Sequence, residues 1–261
     1  MRVQRTTLGA FPALTAGDGP PLVLLGGLST QVGVDGPTRR GHLPPIARFA
    51  TVGTVHFVNR RPGLPRGMTM ADLAAELAAA MDDAFGGPVD LAGFSTGGTI
   101  AQQVAAEHPD VVRRLVLVST GCRLSPYTRE TQARTARVVR AGGPARSYGD
   151  VAAGLVPRGG RRLTAAAAAL LGPGRFPRHA ALEDLATTIE AEDAFDLAAL
   201  PTITAPTLLV AGGRDEHYPV PLLEETAALI PNCRFVLLPE NDHGSVAVAP
   251  ALGEALRSFL D

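Results

Sequence analysis

The stretch Pro88-Val89-Asp90-Leu91-Ala92-Gly93-Phe94-Ser95-Thr96-Gly97-Gly98 decides how this chain is read. It opens as a short apolar strand and runs straight into residues 97–107, a helical segment stopped by Pro109. Between the two lies Gly93-Phe94-Ser95-Thr96-Gly97, a Gly-x-Ser-x-Gly pattern. A strand that turns directly into a helix bends sharply and strains its middle residue, and small residues on either side let the two elements pack closely. The serine hydroxyl then stands at a helix N-terminus, where free N–H groups and the helix dipole favour developing negative charge. The competing reading is a glycine-rich strand-to-helix turn with an inert serine. What separates the two is whether the chain supplies a base and an acid in register with Ser95.

Working outward, short apolar runs recur at Leu22-Val23-Leu24-Leu25, at 52–58, at Leu115-Val116-Leu117-Val118, at Thr207-Leu208-Leu209-Val210 and at Arg234-Phe235-Val236-Leu237-Leu238. Such runs fit strands buried on both faces of a parallel sheet. Helices are expected at about 70–85, where Thr69 can cap and Leu73, Leu77 and Met81 share one face, and at 97–107, 220–229 and 250–260. Residues 2–8 alternate loosely and suit an edge strand. Strands alternating with helices imply an α/β fold, a mostly parallel central sheet flanked by helices. The alternation breaks between about 122 and 200, a segment rich in Ala, Arg, Gly and Pro with helical pieces expected at 127–140, 147–155, 163–171 and 179–193. The expected organisation is therefore a core of residues 1–121 and 201–261 with a helical lid insertion, 122–200, at the carboxyl ends of the strands, where open α/β sheets bind ligands.

A serine hydroxyl attacks only when a base removes its proton. Six histidines compete. His243 lies in Glu240-Asn241-Asp242-His243-Gly244, a polar loop after the last apolar strand, where a base at the sheet's carboxyl edge belongs. His108 sits at a helix end, His42 in a Gly/Pro loop, His56 within a strand and His179 in the insertion; His217, beside the candidate acid, is the rival. The base needs an orienting carboxylate. Asp215, in Ala211-Gly212-Gly213-Arg214-Asp215-Glu216, directly follows the strand 207–210; Glu216 is expected to point elsewhere and Asp242 to serve structurally. An oxyanion hole would draw on the backbone N–H of Thr96, after the nucleophile, and of Leu28, in the loop Gly26-Gly27-Leu28-Ser29-Thr30.

Composition narrows the classes. The 261 residues carry a net charge of −1, which supplies no field to hold nucleic acid. All 24 basic residues are Arg, so chemistry through a Lys Schiff base is excluded. Two distant cysteines, Cys122 and Cys233, make neither a disulfide framework nor a metal cluster, and no cofactor or metal is expected. No apolar leader follows Met1 and no stretch approaches a membrane span, so a cytoplasmic protein is the expectation. Residues 123–178 hold eleven Arg against Glu130 and Asp150. These could form a basic mouth for an anionic substrate or simply solvate the outer faces of helices.

Taken together, Gly26-Gly27-Leu28, Asn59-Arg60-Arg61-Pro62-Gly63, Gly93-Phe94-Ser95-Thr96-Gly97-Gly98, Gly212-Gly213-Arg214-Asp215 with Pro219, and Asp242-His243-Gly244 resemble the α/β-hydrolase fold family. The resemblance is to its lid-bearing branch of esterases, cofactor-free perhydrolases, C–C bond hydrolases and thioesterases. Gly26-Gly27 stands where members often have His-Gly, and Asn59 and Pro62 depart from a common Asp-x-Arg-Gly. Ser95 separates the chain from the dehalogenase and epoxide-hydrolase branches, which use Asp at that position. The resemblance implies a serine hydrolase that cleaves an ester, thioester or related acyl bond of a small molecule, hydrophobic or anionic, through Ser95, Asp215 and His243. C–C hydrolysis or perhydrolysis on the same residues stays open, as does a catalytically silent ligand-binding protein of the same fold, and so does the oligomeric state.

Overall fold

The computed structural model describes residues 1–29, 32–35, 39–142 and 179–260. Eight strands form one sheet: β1 (Gln4–Leu8), β2 (Phe11–Ala16), β3 (Pro21–Leu25), β4 (Thr54–Val58), β5 (Val89–Phe94), β6 (Val112–Val118), β7 (Thr207–Gly212) and β8 (Cys233–Leu238). Their spatial order is β1-β2-β4-β3-β5-β6-β7-β8. β1 and β2 pair antiparallel, as do β2 and β4, and every other neighbouring pair is parallel. Among the described residues the helices are α1 (Arg39–Phe49), α2 (Met70–Phe85), α3 (Thr96–Glu107), α4 (Pro126–Arg140), α5 (His179–Asp193), α6 (Val220–Leu229) and α7 (Pro250–Leu260).

The central strands β3, β5 and β7 are apolar and buried on both faces because both faces are covered, as is the C-terminal half of β6. In β6, Leu115 and Leu117 join a cluster with Leu73, Leu77 and Met81 of α2 and with Ala101 and Val104 of α3. Val116 and Val118 point the other way and join Ile46 and Phe49 of α1 with Leu252 and Leu256 of α7. The pleat therefore assigns successive residues of one apolar run to opposite cores. One buried charge interrupts this pattern. Asp90 in β5 is buried and accepts forked hydrogen bonds from Arg113 and Arg114 of β6. Burial disfavours its carboxylate, but the two guanidiniums outweigh that and hold its carboxyl below the usual range. Arg114 also donates to the Phe259 carbonyl at 3.2 Å, tying the sheet to the end of α7.

The strands and the helices at 70–85, 220–229 and 250–260 fall where the pattern predicts them. Two elements do not. Residues 11–16 form β2 although Pro12 lies within them; it sits beside the antiparallel edge, where a missing N–H is tolerated. Residues 39–49 form α1 despite Gly41, Pro44 and Pro45, so His42 lies on a helix, its ring 4.6 Å from that of Phe57, and not in a loop. Within the expected insertion, α4 and α5 match the pieces at 127–140 and 179–193 and share a small core of Ala136, Val139, Leu182, Leu185, Ala186 and Ile189. The pieces expected at 147–155 and 163–171 lie outside the described residues. The base of this segment is closed by a bridge between Arg123 and Asp196 and by the Leu197 N–H donating to the Cys122 carbonyl at 2.8 Å. No helix among the described residues is long and apolar enough to cross a membrane.

Helix α2 begins with a reciprocal cap. The Thr69 hydroxyl accepts from the Asp72 N–H at 3.1 Å, and the Asp72 carboxylate accepts from the Thr69 N–H at 2.9 Å. Thr69→Ala is expected to cost about 1 kcal/mol. Leu77→Ala, at a fully buried position, is expected to cost roughly 2–5 kcal/mol. Urea unfolding of the three proteins checks the order; equal losses would contradict the assignment of the core.

Candidate active site

Ser95 sits on the turn between β5 and α3 with φ 52° and ψ −124°, a conformation that L-residues rarely adopt. It is held there by its neighbours. Its N–H donates to the Val118 carbonyl at 3.0 Å, and its own carbonyl accepts from the Gly98 and Thr99 N–H groups at 2.7 and 3.2 Å. The glycines flanking it are required by contact. A Cβ on Gly93 would lie 2.3 Å from the Gly97 carbonyl oxygen, and one on Gly97 would lie 2.5 and 2.6 Å from the Leu25 and Gly26 oxygens. Strand, turn and helix thus approach more closely than any side chain permits.

Two loops from further along the sheet converge on this serine. After β7, the Gly213 N–H donates to the Leu238 carbonyl and the Arg214 N–H to the Asn241 carbonyl, each at 2.9 Å, so the loop carrying Asp215 is laced to the loop carrying His243. The result is a continuous hydrogen-bonded row. His243 Nε2 lies 3.1 Å from Ser95 Oγ, and His243 Nδ1 lies 2.7 Å from Asp215 Oδ2. The other Asp215 oxygen accepts from the backbone N–H groups of His217 and Tyr218 at 2.8 and 3.2 Å. With the carboxylate so occupied as an acceptor, Nδ1–H is the donor toward Asp215, which leaves Nε2 free to accept from the serine. Asp215 and His243 are both buried, and the imidazole is enclosed by Phe94, His217 and the stacked ring of Tyr218.

The other candidates separate cleanly. His217, whose ring lies 4.8 Å from that of His243, faces Thr128, with Nδ1 3.2 Å from its hydroxyl. His56 is half-buried in β4 beside Phe85, and His108 ends α3. Asp242 holds its own turn, with its Oδ1 accepting from the Ser245 N–H and its N–H donating to Ser245 Oγ, both at 2.9 Å. The loop after β3 passes directly beside the Ser95 turn: a Cβ on Gly27 would sit 3.3 Å from the Ser95 Cβ. Leu28 follows, half-buried and packed against the α4–α5 core. Thr96 opens α3.

Three further buried charged side chains have no site role in the sequence reading. Glu192, near the end of α5, is fully buried and accepts from the Thr96 and Thr99 hydroxyls at 2.9 and 2.8 Å and from Gln132 Nε2 at 3.1 Å. Burial pushes its carboxyl up, and these hydrogen bonds offset only part of that. Asp184, two turns earlier, accepts from the Gly63 and Leu64 N–H groups at 2.9 and 2.7 Å. Arg60 donates to the Ser29 carbonyl; burial lowers its guanidinium to about 10 against the opposing fields of Asp184 and Glu192. In the sequence these acids belong to a run of Glu and Asp along residues 183–193 that is indistinguishable from a solvated helix face. Three of the arginines described in the insertion pair with acids: Arg123 with Glu225, Arg129 with Asp193, and Arg140 with Glu183 and Glu190.

Residues 8–253 match the alpha/beta hydrolase family, and the chain belongs to it. The similar proteins differ widely in size. The chain is 33% identical to a segment of the polyketide synthase ThaQ of Burkholderia thailandensis, over 95% of its own length and 12% of that protein's. It is 29% identical to RutD of Caulobacter vibrioides, a protein assigned to carbamate hydrolysis, over 83% of this chain and 80% of that one. Among solved structures, the enol-lactonase of Burkholderia xenovorans superposes with a TM-score of 0.75 at 22% identity, covering 98% of this chain and 99% of the other, a likeness of fold.

Because the atoms that block a side chain at Gly97 are backbone carbonyls, they cannot rotate away. Gly97→Ala is therefore expected to reduce stability by several kcal/mol, on the scale of severe overpacking. Gly63→Ala, where a Cβ meets open space and only the positive φ of 78° resists, is expected to cost about 1 kcal/mol. Thermal unfolding of the two variants reads the difference, and a Gly97→Ala protein with wild-type Tm would contradict it.

Proposed function

We propose that this chain is a serine hydrolase that cleaves an ester, thioester or related acyl bond of a small molecule. The observation that carries the reading is the unbroken row from Ser95 Oγ to His243 to Asp215, at 3.1 and 2.7 Å, with the histidine and the aspartate buried. His243 Nε2 takes the serine proton as Oγ attacks the carbonyl carbon. The backbone N–H groups of Thr96 and Leu28 stabilise the oxyanion, the first at the positive end of α3. His243 then passes its proton to the leaving group, and the acyl group stays on Ser95. In the second half-reaction His243 draws a proton from water, the hydroxide equivalent attacks the acyl carbon, and Ser95 recovers its hydrogen as the acid departs. Asp215 holds the imidazole tautomer throughout.

Residues 122–200 form the lid in this reading, with α4 and α5 setting which acyl groups enter. The ion pairs of Arg123, Arg129 and Arg140 support the solvating role for these three side chains. Similarity to a protein assigned to carbamate hydrolysis and to part of a polyketide synthase supports chemistry at a carbonyl carbon.

Ser95→Ala is expected to lower turnover of a short p-nitrophenyl ester by on the order of 10⁴ to 10⁶ while leaving Tm within a few degrees. In rapid-mixing experiments the wild-type chain is expected to release a burst of p-nitrophenol near one equivalent. Unchanged turnover in the variant would refute the assignment, and a stable protein with no turnover and no burst on any activated ester would point to a silent ligand-binding member of the fold.

A further inference from the structure

The serine reading uses Thr96 for its backbone N–H. The Thr96 side chain has its own partner: Glu192, which arrives from α5, 96 residues away in sequence. This carboxylate is fully buried, yet among the described residues no Arg lies within ion-pair distance of it. Its hydrogen-bond donors are neutral: two hydroxyls on successive turns of α3 and one amide on α4. A buried acid held only by neutral donors is costly relative to an apolar or amide side chain of the same size. Its location offsets part of that cost. It sits at the N-terminal end of α3, and the charge of Arg60 favours its ionised form.

The chemistry of the group indicates what it contributes. A carboxylate accepts only, so both threonine hydroxyls must point their protons at it, one to each oxygen. That clamps the first turn of α3 against α4 and α5 at two points. A glutamine of the same shape offers one acceptor oxygen and would turn an NH2 toward the other hydroxyl. We propose that Glu192 is a positioning residue for the oxyanion-binding turn: by fixing the Thr96 and Thr99 side chains it sets the direction of the Thr96 N–H and couples that direction to the seating of the helices above it. The proposal rests on the serine reading above and adds to it a carboxylate outside the triad. Asp184 is the internal comparison, because its carboxylate anchors the same helix to the Gly63 and Leu64 N–H groups and, among the described residues, accepts no hydrogen bond from α3.

The experiment is steady-state hydrolysis of a neutral p-nitrophenyl ester by the full chain, with the rate of Ser95 phosphonylation measured alongside. Glu192→Gln is expected to lower kcat by ~10- to 100-fold with KM within about twofold, since the affected donor meets charge that develops only in the transition state. Thr96→Val, which removes the hydroxyl but keeps the shape, is expected to fall in the same range. The double variant should be no worse than the poorer single one, the signature of two groups acting through one contact. Asp184→Asn is expected to keep kcat within about threefold, because it loosens α5 away from the turn. Glu192→Gln with wild-type kcat, multiplicative losses in the double variant, or a kcat loss of the same size in Asp184→Asn would each overturn the proposal. Should Glu192→Gln fail to fold, Thr96→Val decides alone: a kcat loss at unchanged Tm supports the role and wild-type kcat refutes it. If the wild-type chain is not phosphonylated at Ser95, the serine reading itself fails and the proposal with it. Phosphonylation of the wild type together with an indifferent Glu192→Gln sinks only the proposal.

Discussion

The site depends on one close contact, the approach of β5 to α3 across Gly93 and Gly97. No Cβ fits at either position, and with both glycines in place the chain can fold back on itself within one residue. Ser95 is the residue that takes up the bend, at φ 52°. Strain of this kind costs on the order of 1–3 kcal/mol and persists only where the surroundings over-determine it. Here the Val118 carbonyl holds the serine N–H from one side and the first turn of α3 holds its carbonyl from the other. The turn therefore borrows its stability from the sheet, which is why a strained geometry can sit on a rigid scaffold.

The same logic recurs along the sheet's edge. Ser119, at the end of β6, is the other non-glycine residue with positive φ among those described, and its N–H donates to the Val210 carbonyl at 3.0 Å. Beyond β7, Gly212 and Gly213 lie so close to the backbone of Asn241 and Pro239 that side chains there are excluded as well. Each strand end leans on its neighbour, and the order of the strands in space brings residues 95, 215 and 243 into one hydrogen-bonded row. Burial then sharpens the electrostatics, since a row screened from water keeps its directional hydrogen bonds.

Much of this was legible in the residues, for reasons that can be named. The strands of a doubly covered sheet must be apolar throughout, so β3, β5, β6 and β7 stand out as runs. Thr69 with Asp72 marks the start of α2 by local chemistry alone. Ser95, Asp215 and His243 each follow such a run, so their meeting at one edge follows from the topology. Legibility ended where tertiary context overrides local preference. Pro12 hides β2, because a proline at a sheet margin looks like a proline that forbids a strand. Gly41, Pro44 and Pro45 hide α1, which exists because Ile46 and Phe49 find a core. Glu192 and Asp184 were invisible as site residues because nothing in an acidic helix distinguishes a buried carboxylate from a solvated one until its partners, 96 and 120 positions away, are known.

The central claim is that Ser95 is an activated nucleophile. Peptide mapping by mass spectrometry, after a short reaction of the native chain with a fluorophosphonate, tests it most directly. One adduct per chain is expected, carried by the peptide containing Ser95 and absent when His243 is replaced by alanine. An unmodified chain, or an adduct on a different serine, would contradict it.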